Sequence, residues 1–290
     1  MRWRHALTAL VLTGCAACIT PLSSWRPDIR YAETVRDGGT GTEQSLSVRL
    51  DMKVGELTVE PGAEGRAFVA HFRYNETALE PEVRFNVGDE GAAELYLGLR
   101  GSADSFHAWG DNAIHLELNP RIPVALHTET GVGEAKLDLT GLPVLRLELE
   151  SGVGGTEVLA LEPNPASCER IEITGGVGSL EITGLGNLNC REFRLRGGVG
   201  GTKIDLSGDW RQPAHAEIEV GVGGVEIDLP HDLPVIIEAK GSMFSEVSMP
   251  SEFERRGNRY FSPAARDKPE HELLHIHIAA GIGGTQVRWR

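Results

Sequence analysis

Aromatic residues are scarce, at 6% of 290 residues. That leaves little for one thick core or for an aromatic-lined ligand groove. Basic residues are outnumbered, 28 Lys and Arg against 42 Asp and Glu, for a net charge of −14. The deficit argues against a nucleic-acid surface, which needs a Lys/Arg excess, and against a polybasic patch on anionic lipid. No apolar run approaches the ~18–20 residues of a transmembrane helix. Cysteine is limited to Cys15, Cys18, Cys168 and Cys190. Glycine is what abounds, at 36 residues, well above the ~7% of average usage. With 40% hydrophobic and 24% charged residues, the chain reads as globular, long enough for one or two domains.

The first residues read as an export signal. Arg2, Arg4 and His5 form a basic start, and Ala6 to Thr13 a short apolar stretch. It ends in Leu12-Thr13-Gly14-Cys15, which resembles the bacterial lipobox, whose cysteine thiol takes a diacylglycerol. Residues 1–14 are thus expected to be a signal peptide and Cys15 the lipidation site, with acyl chains as the membrane anchor. Residues 15–44 carry Pro21, Pro27 and Gly38-Gly39 and read as a flexible tether. Ala16 after the lipidated cysteine favours an outer-membrane anchor facing the periplasm, if the cell is diderm.

Internal repetition is the dominant feature. Gly-Val-Gly or Gly-Ile-Gly opens at Gly131, Gly152, Gly176, Gly198, Gly221 and Gly281, closing at Gly133, Gly154, Gly178, Gly200, Gly223 and Gly283. The steps are 21, 24, 22, 23 and 60 residues. The last leaves room for a degenerate repeat near Gly241 and an insertion. Between the glycines, segments such as Leu145-Arg146-Leu147-Glu148-Leu149-Glu150 alternate strictly, the mark of half-buried strands. Residues 123–290 are therefore expected to form an all-β, parallel β-solenoid with two short strands per rung of about 22 residues. Gly-Val-Gly would form the turns, where φ > 0 or crowding excludes a Cβ. Stacking predicts inward columns at the residue after the first glycine (Val132, Val153, Val177, Val199, Val222, Ile282) and five further on (Leu137, Val158, Ile182, Ile204, Ile227, Val287). The polar residues just before the latter, from Lys136 to Gln286, would face out. An antiparallel sandwich of hairpins is the alternative.

Residues 45–122 form a different strand-rich block. Its Val54-Gly55-Glu56 echoes Val132-Gly133-Glu134, so it is expected to be a set of diverged rungs capping the first edge. Cys168 and Cys190 each stand eight residues before the opening glycine of the next unit. Parallel stacking would place them about 4.8 Å apart, within reach of a disulfide; the other reading is two buried thiols.

The order Val54-Gly55-Glu56-Leu57-Thr58-Val59, Phe72-Arg73-Tyr74-Asn75 and Pro81-Glu82-Val83, followed by Gly131-Val132-Gly133-Glu134-Ala135-Lys136-Leu137-Asp138-Leu139 and its repeats, resembles the bacterial toast-rack family of cell-envelope proteins. That family is related to candidate adhesins and to cell-wall-active antibiotic response proteins. The resemblance covers roughly residues 45–290. It implies a β-solenoid at the cell envelope, no catalytic residues, and a role in partner contact or envelope sensing.

Other motifs point elsewhere. His271-Glu272-Leu273-Leu274-His275 matches H-E-x-x-H, which grips zinc only on a helix. Here the alternation of Leu274, Ile276 and Ile278 predicts a strand, with His275 and His277 on its outer face. No Gly-rich turn completes a dinucleotide fingerprint. Gly197-Gly198-Val199-Gly200-Gly201-Thr202 has Thr202 where a calcium-binding repeat needs Asp. Asp138, Asp205 and Asp228 share one repeat position and could serve a glycosidase or lyase, or merely solvate a face. The expectation is a non-enzymatic, lipid-anchored envelope protein without cofactor or metal, presenting an interaction surface to an envelope protein or glycan. A glycan-binding or carbohydrate-active β-helix is the alternative.

Overall fold

The computed structural model describes residues 30–101, 111–241 and 245–290. The N-terminal block contributes β1 (Tyr31–Gly38), β2 (Ser45–Val54), β3 (Glu56–Pro61), β4 (Phe68–Asn75), β5 (Leu79–Val87), β6 (Ala92–Gly101) and β7 (Ala113–Leu118). The repeats give pairs of one long and one short strand: β8 (Val124–Val132) and β9 (Ala135–Asp138), β10 (Val144–Val153) and β11 (Thr156–Leu159), β12 (Cys168–Val177) and β13 (Leu180–Thr183), β14 (Cys190–Val199) and β15 (Thr202–Asp205), β16 (Ala214–Val222) and β17 (Val225–Leu229). Then follow β18 (Val235–Gly241), β19 (Ser245–Ser248), β20 (Glu254–Arg256), β21 (Arg259–Phe261) and β22 (Leu274–Trp289). Among the described residues these strands join in one large, mixed, largely parallel sheet.

Two parallel ladders carry it. The long strands β8, β10, β12, β14, β16 and β22 pair in that order. The short strands β9, β11, β13, β15, β17 and the second half of β22 pair likewise. Equivalent residues are register partners, so like stacks on like: Leu147 on Ile171 on Phe193 on Ala216, and Val158 on Ile182 on Ile204 on Ile227. These side chains are fully buried, with Leu149, Ile173, Leu195 and Ile218 beside them. Each of these Val, Leu, Ile and Phe side chains contributes about 1.5–3 kcal/mol through burial. The polar column from Lys136 to Gln286 lies outside.

The column that opens on Val132 departs from expectation. Val132, Val153, Val177, Val199, Val222 and Ile282 do stack, but on the outside, at 37–57% exposure. The cause is local. Inward side chains alternate along β10 through Leu147, Leu149 and Ser151 and resume at Thr156 and Val158, so the phase flips across Ser151–Thr156. Gly154, at φ +145°, sits in that stretch, and the bend leaves Gly152 and Val153 both facing solvent.

The ends are spliced out of sequence order. β2 lies between β6 and β8, with Val54 paired to Val132, and β3 lies between β7 and β9. Antiparallel β5 on β6, β4 on β7 and β1 on β4 continue outward, so residues 31–38, expected to lie in the flexible tether of 15–44, instead form an edge strand held by β4. At the far end β22 sits directly on β16 and β17, with Ile282 beside Val222. The degenerate pair β18 and β19 lies outside β22, not between the Gly221 and Gly281 units as sequence order suggested. The β20–β21 hairpin closes on β18. Buried asparagines stitch the loops opposite the glycine bends. The Asn164 amide donates to the carbonyls of Val144 (2.8 Å) and Leu188 (3.2 Å), and that of Asn187 to Ala160 (2.9 Å).

Candidate functional site

The glycine bends are tightly constrained backbone. Gly55, Gly133, Gly154, Gly178, Gly200, Gly223 and Gly283 form a column at φ between +138° and +149°. A Cβ on any of the last six would strike the carbonyl oxygen of the preceding glycine in the column. The opening glycines Gly152, Gly176, Gly198, Gly221 and Gly281 stack in a second column, and a Cβ on Gly131 would strike the Lys53 carbonyl. The amide of each closing glycine donates to the apolar residue of the next repeat: Gly133 to Val153 (2.8 Å), Gly178 to Val199 (2.9 Å), Gly223 to Ile282 (2.8 Å). From Gly55 to Gly223, the corner carrying the Val/Ile ladder is thus hydrogen-bonded from repeat to repeat.

Cys168 and Cys190 are register partners and form a disulfide, with Cα atoms 4.4 Å apart and both residues buried. Cys15, the lipobox cysteine, lies outside the described residues.

The outer face of the long-strand ladder is a grid of charges. His127 lies within hydrogen-bond reach of Glu148 (3.1 Å) and Glu129 (2.9 Å). Arg146 pairs with Glu169 (2.8 Å), Arg170 with Glu192 (2.8 Å) and Arg196 with Glu172 (2.8 Å). Where this face meets β18, an open pocket of about 400 Å³ is lined by Glu192, His215, Glu217, Glu238, Arg259, His275 and His277, among others. The His215 and His275 rings lie 5.1 Å apart. His275 Nε2 donates to the Glu270 carbonyl (2.8 Å), and Arg259 pairs with Glu270 (2.8 Å). His271 belongs to a short 3-10 turn before β22, so H-E-x-x-H lacks its helix. Among the described residues no three His, Cys, Asp or Glu gather to hold one metal ion.

The aspartate column is tied up within the fold. Arg288 takes both oxygens of Asp228, Arg290 binds Asp205, and Asp138 accepts from the Thr140 amide (2.9 Å). Thr202 points inward and is buried. Trp210 packs on Phe193, its indole donating to the Leu206 carbonyl (2.8 Å). Trp289 is stacked against both His231 and Phe253.

Residues 23–183 and 184–228 match the family described as N-terminal domain of toast_rack, DUF2154. The chain belongs to this family. The match runs through the N-terminal block and six of the seven glycine bends, Gly55 to Gly223. No curated protein matches the chain. Among solved structures, this toast-rack chain is similar to a candidate cell adhesion protein from Clostridium sporogenes, at 20% identity and TM-score 0.49, covering 90% of this chain and 100% of that one. It is also similar to a candidate adhesin from Bacteroides fragilis, at 13% identity and TM-score 0.46, covering 90% of this chain and 99% of that one.

The charge grid of the toast-rack face sets a pH response. The hydrogen bond from His127, with the nearby Arg49 charge, holds the Glu129 carboxyl below its ordinary 4.5. Arg259 does the same for Glu270, and Arg146 for Glu169. A carboxylate depressed in the folded state stabilises above its unfolded pKa, and that contribution disappears as pH falls through the depressed value. Melting temperature is expected to drop between about pH 5 and pH 3, with a shallower slope at high salt because these pairs are exposed. Melting curves across that range at two ionic strengths check it; a slope unchanged by salt contradicts it.

The sequence placed the bends, the disulfide partners and the outer position of His275 and His277. It missed the pocket, because His215 and His275 become neighbours only through the splicing of β22. The buried asparagines were also missed. Asn164 and Asn187 follow their opening glycines by 12 and 11 residues and give no clean repeat column.

Proposed function

We propose that this toast-rack protein is an extracytoplasmic β-solenoid, lipid-anchored through Cys15 at the bacterial cell envelope, that works by presenting a contact surface and not by catalysis. Each Gly-Val-Gly repeat is one coil, the residues between Cys15 and β1 are the tether, and the N-terminal block with β1 caps the first coil. The observation that carries the reading is the Cys168–Cys190 disulfide between equivalent positions of consecutive repeats. Such a bond belongs to an oxidising compartment. The shared aspartates, held in ion pairs and a turn, support a structural use of that column. Cys15→Ala is expected to move the protein from the membrane to the soluble fraction, or to leave an unprocessed precursor, with loss of radiolabelled fatty acid. A variant that stays membrane-bound and labelled sinks the anchor.

A glycan ligand is the second reading, favoured by the open pocket of His215, His275, His277, Glu217 and Glu238, which offers hydrogen-bond donors and acceptors to sugar hydroxyls. Calorimetric titration with cell-wall oligosaccharides, repeated on His275→Ala, separates the two: saturable heat lost in the variant supports the glycan, none favours a protein contact.

A further inference from the structure

A second cluster of histidines and carboxylates stands far from the His215–His275 pocket, on the outer face of the N-terminal block. Glu60 on β3, His115 and Glu117 on β7, and His71 on β4 share that face. His71 is the register partner of His115, and Glu60 that of Glu117. The four side chains occupy the corners of one patch and form two pairs across it. His115 Nε2 lies 2.9 Å from Glu60 Oε1, and His71 Nε2 lies 3.3 Å from Glu117 Oε1. The two rings have centroids 5.7 Å apart.

Three observations distinguish this patch from the charge grid. Glu169, Glu192 and Glu172 of the grid each meet an arginine, whereas among the described residues Glu60 and Glu117 have only histidines as ionic partners. His127 is hydrogen-bonded to both its carboxylates, whereas His115 Nε2 is buried with no hydrogen-bond partner although Glu60 touches it. Those two atoms are near but not aligned. Finally, Gly62 clears space for the Glu117 carboxylate, since a Cβ there would lie 2.8 Å from Oε2.

We infer that Glu60, His71, His115 and Glu117 bind one divalent transition-metal ion, of the Zn²⁺ type. Neighbouring ligand atoms on such an ion are about 2.9–3.4 Å apart, because each sits ~2.0–2.2 Å from the metal. Both His–Glu separations fall in that range. In such a site the nitrogen lone pair points at the metal and not at the adjacent oxygen, which is the misalignment at His115 Nε2. Two imidazoles on one tetrahedral ion have centroids about 5.2 Å apart, near the spacing of this pair. As they stand, the four side chains form two pairs and no three share one centre. Binding draws the pairs together by side-chain rotation alone, since all four project from one face. Two imidazoles select Zn²⁺, Ni²⁺ or Cu²⁺ over Mg²⁺ or Ca²⁺. Four protein ligands leave no open position, so the ion is structural and brings no catalysis. It ties β4 to β3 across β7, where antiparallel strands join the parallel ladder. No sequence motif announces the site, because β3 reaches β7 only through the out-of-order splice. The site is independent of the anchor and of the glycan pocket, which lies at the other end of the ladder.

Calorimetric titration of the full chain, stripped by chelator, with Zn²⁺ alone is expected to show one saturable site per chain. Melting temperature is expected to rise with Zn²⁺ concentration, since an ion that binds only the folded state stabilises it. His71→Ala/His115→Ala is expected to weaken binding more than about 100-fold, as changing even an outer-shell partner of a metal ligand costs about 10–100-fold. His215→Ala/His275→Ala, at the other histidine pair, is expected to bind like the wild type. Should the first variant misfold by circular dichroism, Glu60→Gln/Glu117→Gln keeps size and shape and is expected to lose at least about 10-fold. Co²⁺ in place of Zn²⁺ is expected to give the visible absorption bands of a tetrahedral site, lost in the same variants. A wild type without saturable binding, binding that survives both the histidine and the glutamate substitutions of the patch, or binding lost only with His215 and His275, overturns the proposal.

Discussion

Gly200→Ala is expected to lower the melting temperature by about 6–12 °C, a loss of at least ~3 kcal/mol at the few degrees per kcal/mol usual for chains of this size. Gly201→Ala, one residue on, should leave it unchanged or raise it. Gly200 sits at φ +146°, and a Cβ there would lie against the Gly178 carbonyl oxygen and carbon. The backbone conformation alone costs an L residue about 1–3 kcal/mol. Relieving the collision requires two hydrogen-bonded repeats to part at a bend where the Gly178 amide donates to the Val199 carbonyl at 2.9 Å, and each bond lost costs about 1 kcal/mol more. Gly201 has no atom within 4 Å of where its Cβ would be, and no positive φ. Alanine there only narrows the unfolded ensemble, which stabilises by about 0.4–1 kcal/mol. Gly200→Val should be worse than Gly200→Ala. Thermal melts followed by circular dichroism decide the matter; equal shifts at positions 200 and 201 would falsify the stacked-bend account.

Reduction of the disulfide is expected to be nearly as damaging. Cys168 and Cys190 close a loop with a sequence separation of 22, for which the chain-entropy account gives roughly 3 kcal/mol. Urea unfolding with and without reductant measures it as a lower midpoint in reductant. The Cys168→Ala/Cys190→Ala variant should start near the reduced midpoint and ignore the reductant. Both sulfurs are buried, so reduction should also be slow until denaturant opens the ladder. A wild-type midpoint insensitive to reductant, after complete reduction is verified by thiol titration, would show that the bond adds nothing to stability.

How far the sequence could be read depended on what each residue's position obeys. Leu147, Leu149, Ile171 and Ile173 follow a period of two because consecutive side chains on a strand point to opposite faces, and the structure buries them all. The paired cysteines follow the repeat period for the same reason. Val153 keeps the repeat period, in register with Val132 and Val177, but breaks the period of two. Hydrophobicity and column identity put it inside, but the buried phase switches from Ser151 to Thr156 across the bend, and no property of the valine itself reports that switch. The polar column from Lys136 to Gln286 lies past that bend and is read correctly from its own short strands. The placement of β22 is illegible for another reason. Strands β17, β18 and β22 all carry buried apolar residues, and which two become neighbours depends on long-range pairing that local pattern does not encode. The His215–His275 pocket and the last step of the Val/Ile ladder, Val222 to Ile282, both hang on that pairing.

The same splice dictates an order of assembly. As the chain is synthesised, β8 to β17 can be laid down one on the next, each step closing a loop of about twenty residues at small entropic cost. The open edge of β16 and β17 must then wait for partners 60 residues downstream in β22. β18 and β19 are made earlier but can dock only after β22 has arrived. The closing step is thus the most non-local parallel pairing at that end, the kind that forms slowly. Until it forms, two unpaired parallel edges stay open as templates for other chains. Chains stopped before Leu274 would hold that state permanently, and should aggregate on refolding from denaturant while the full-length chain does not.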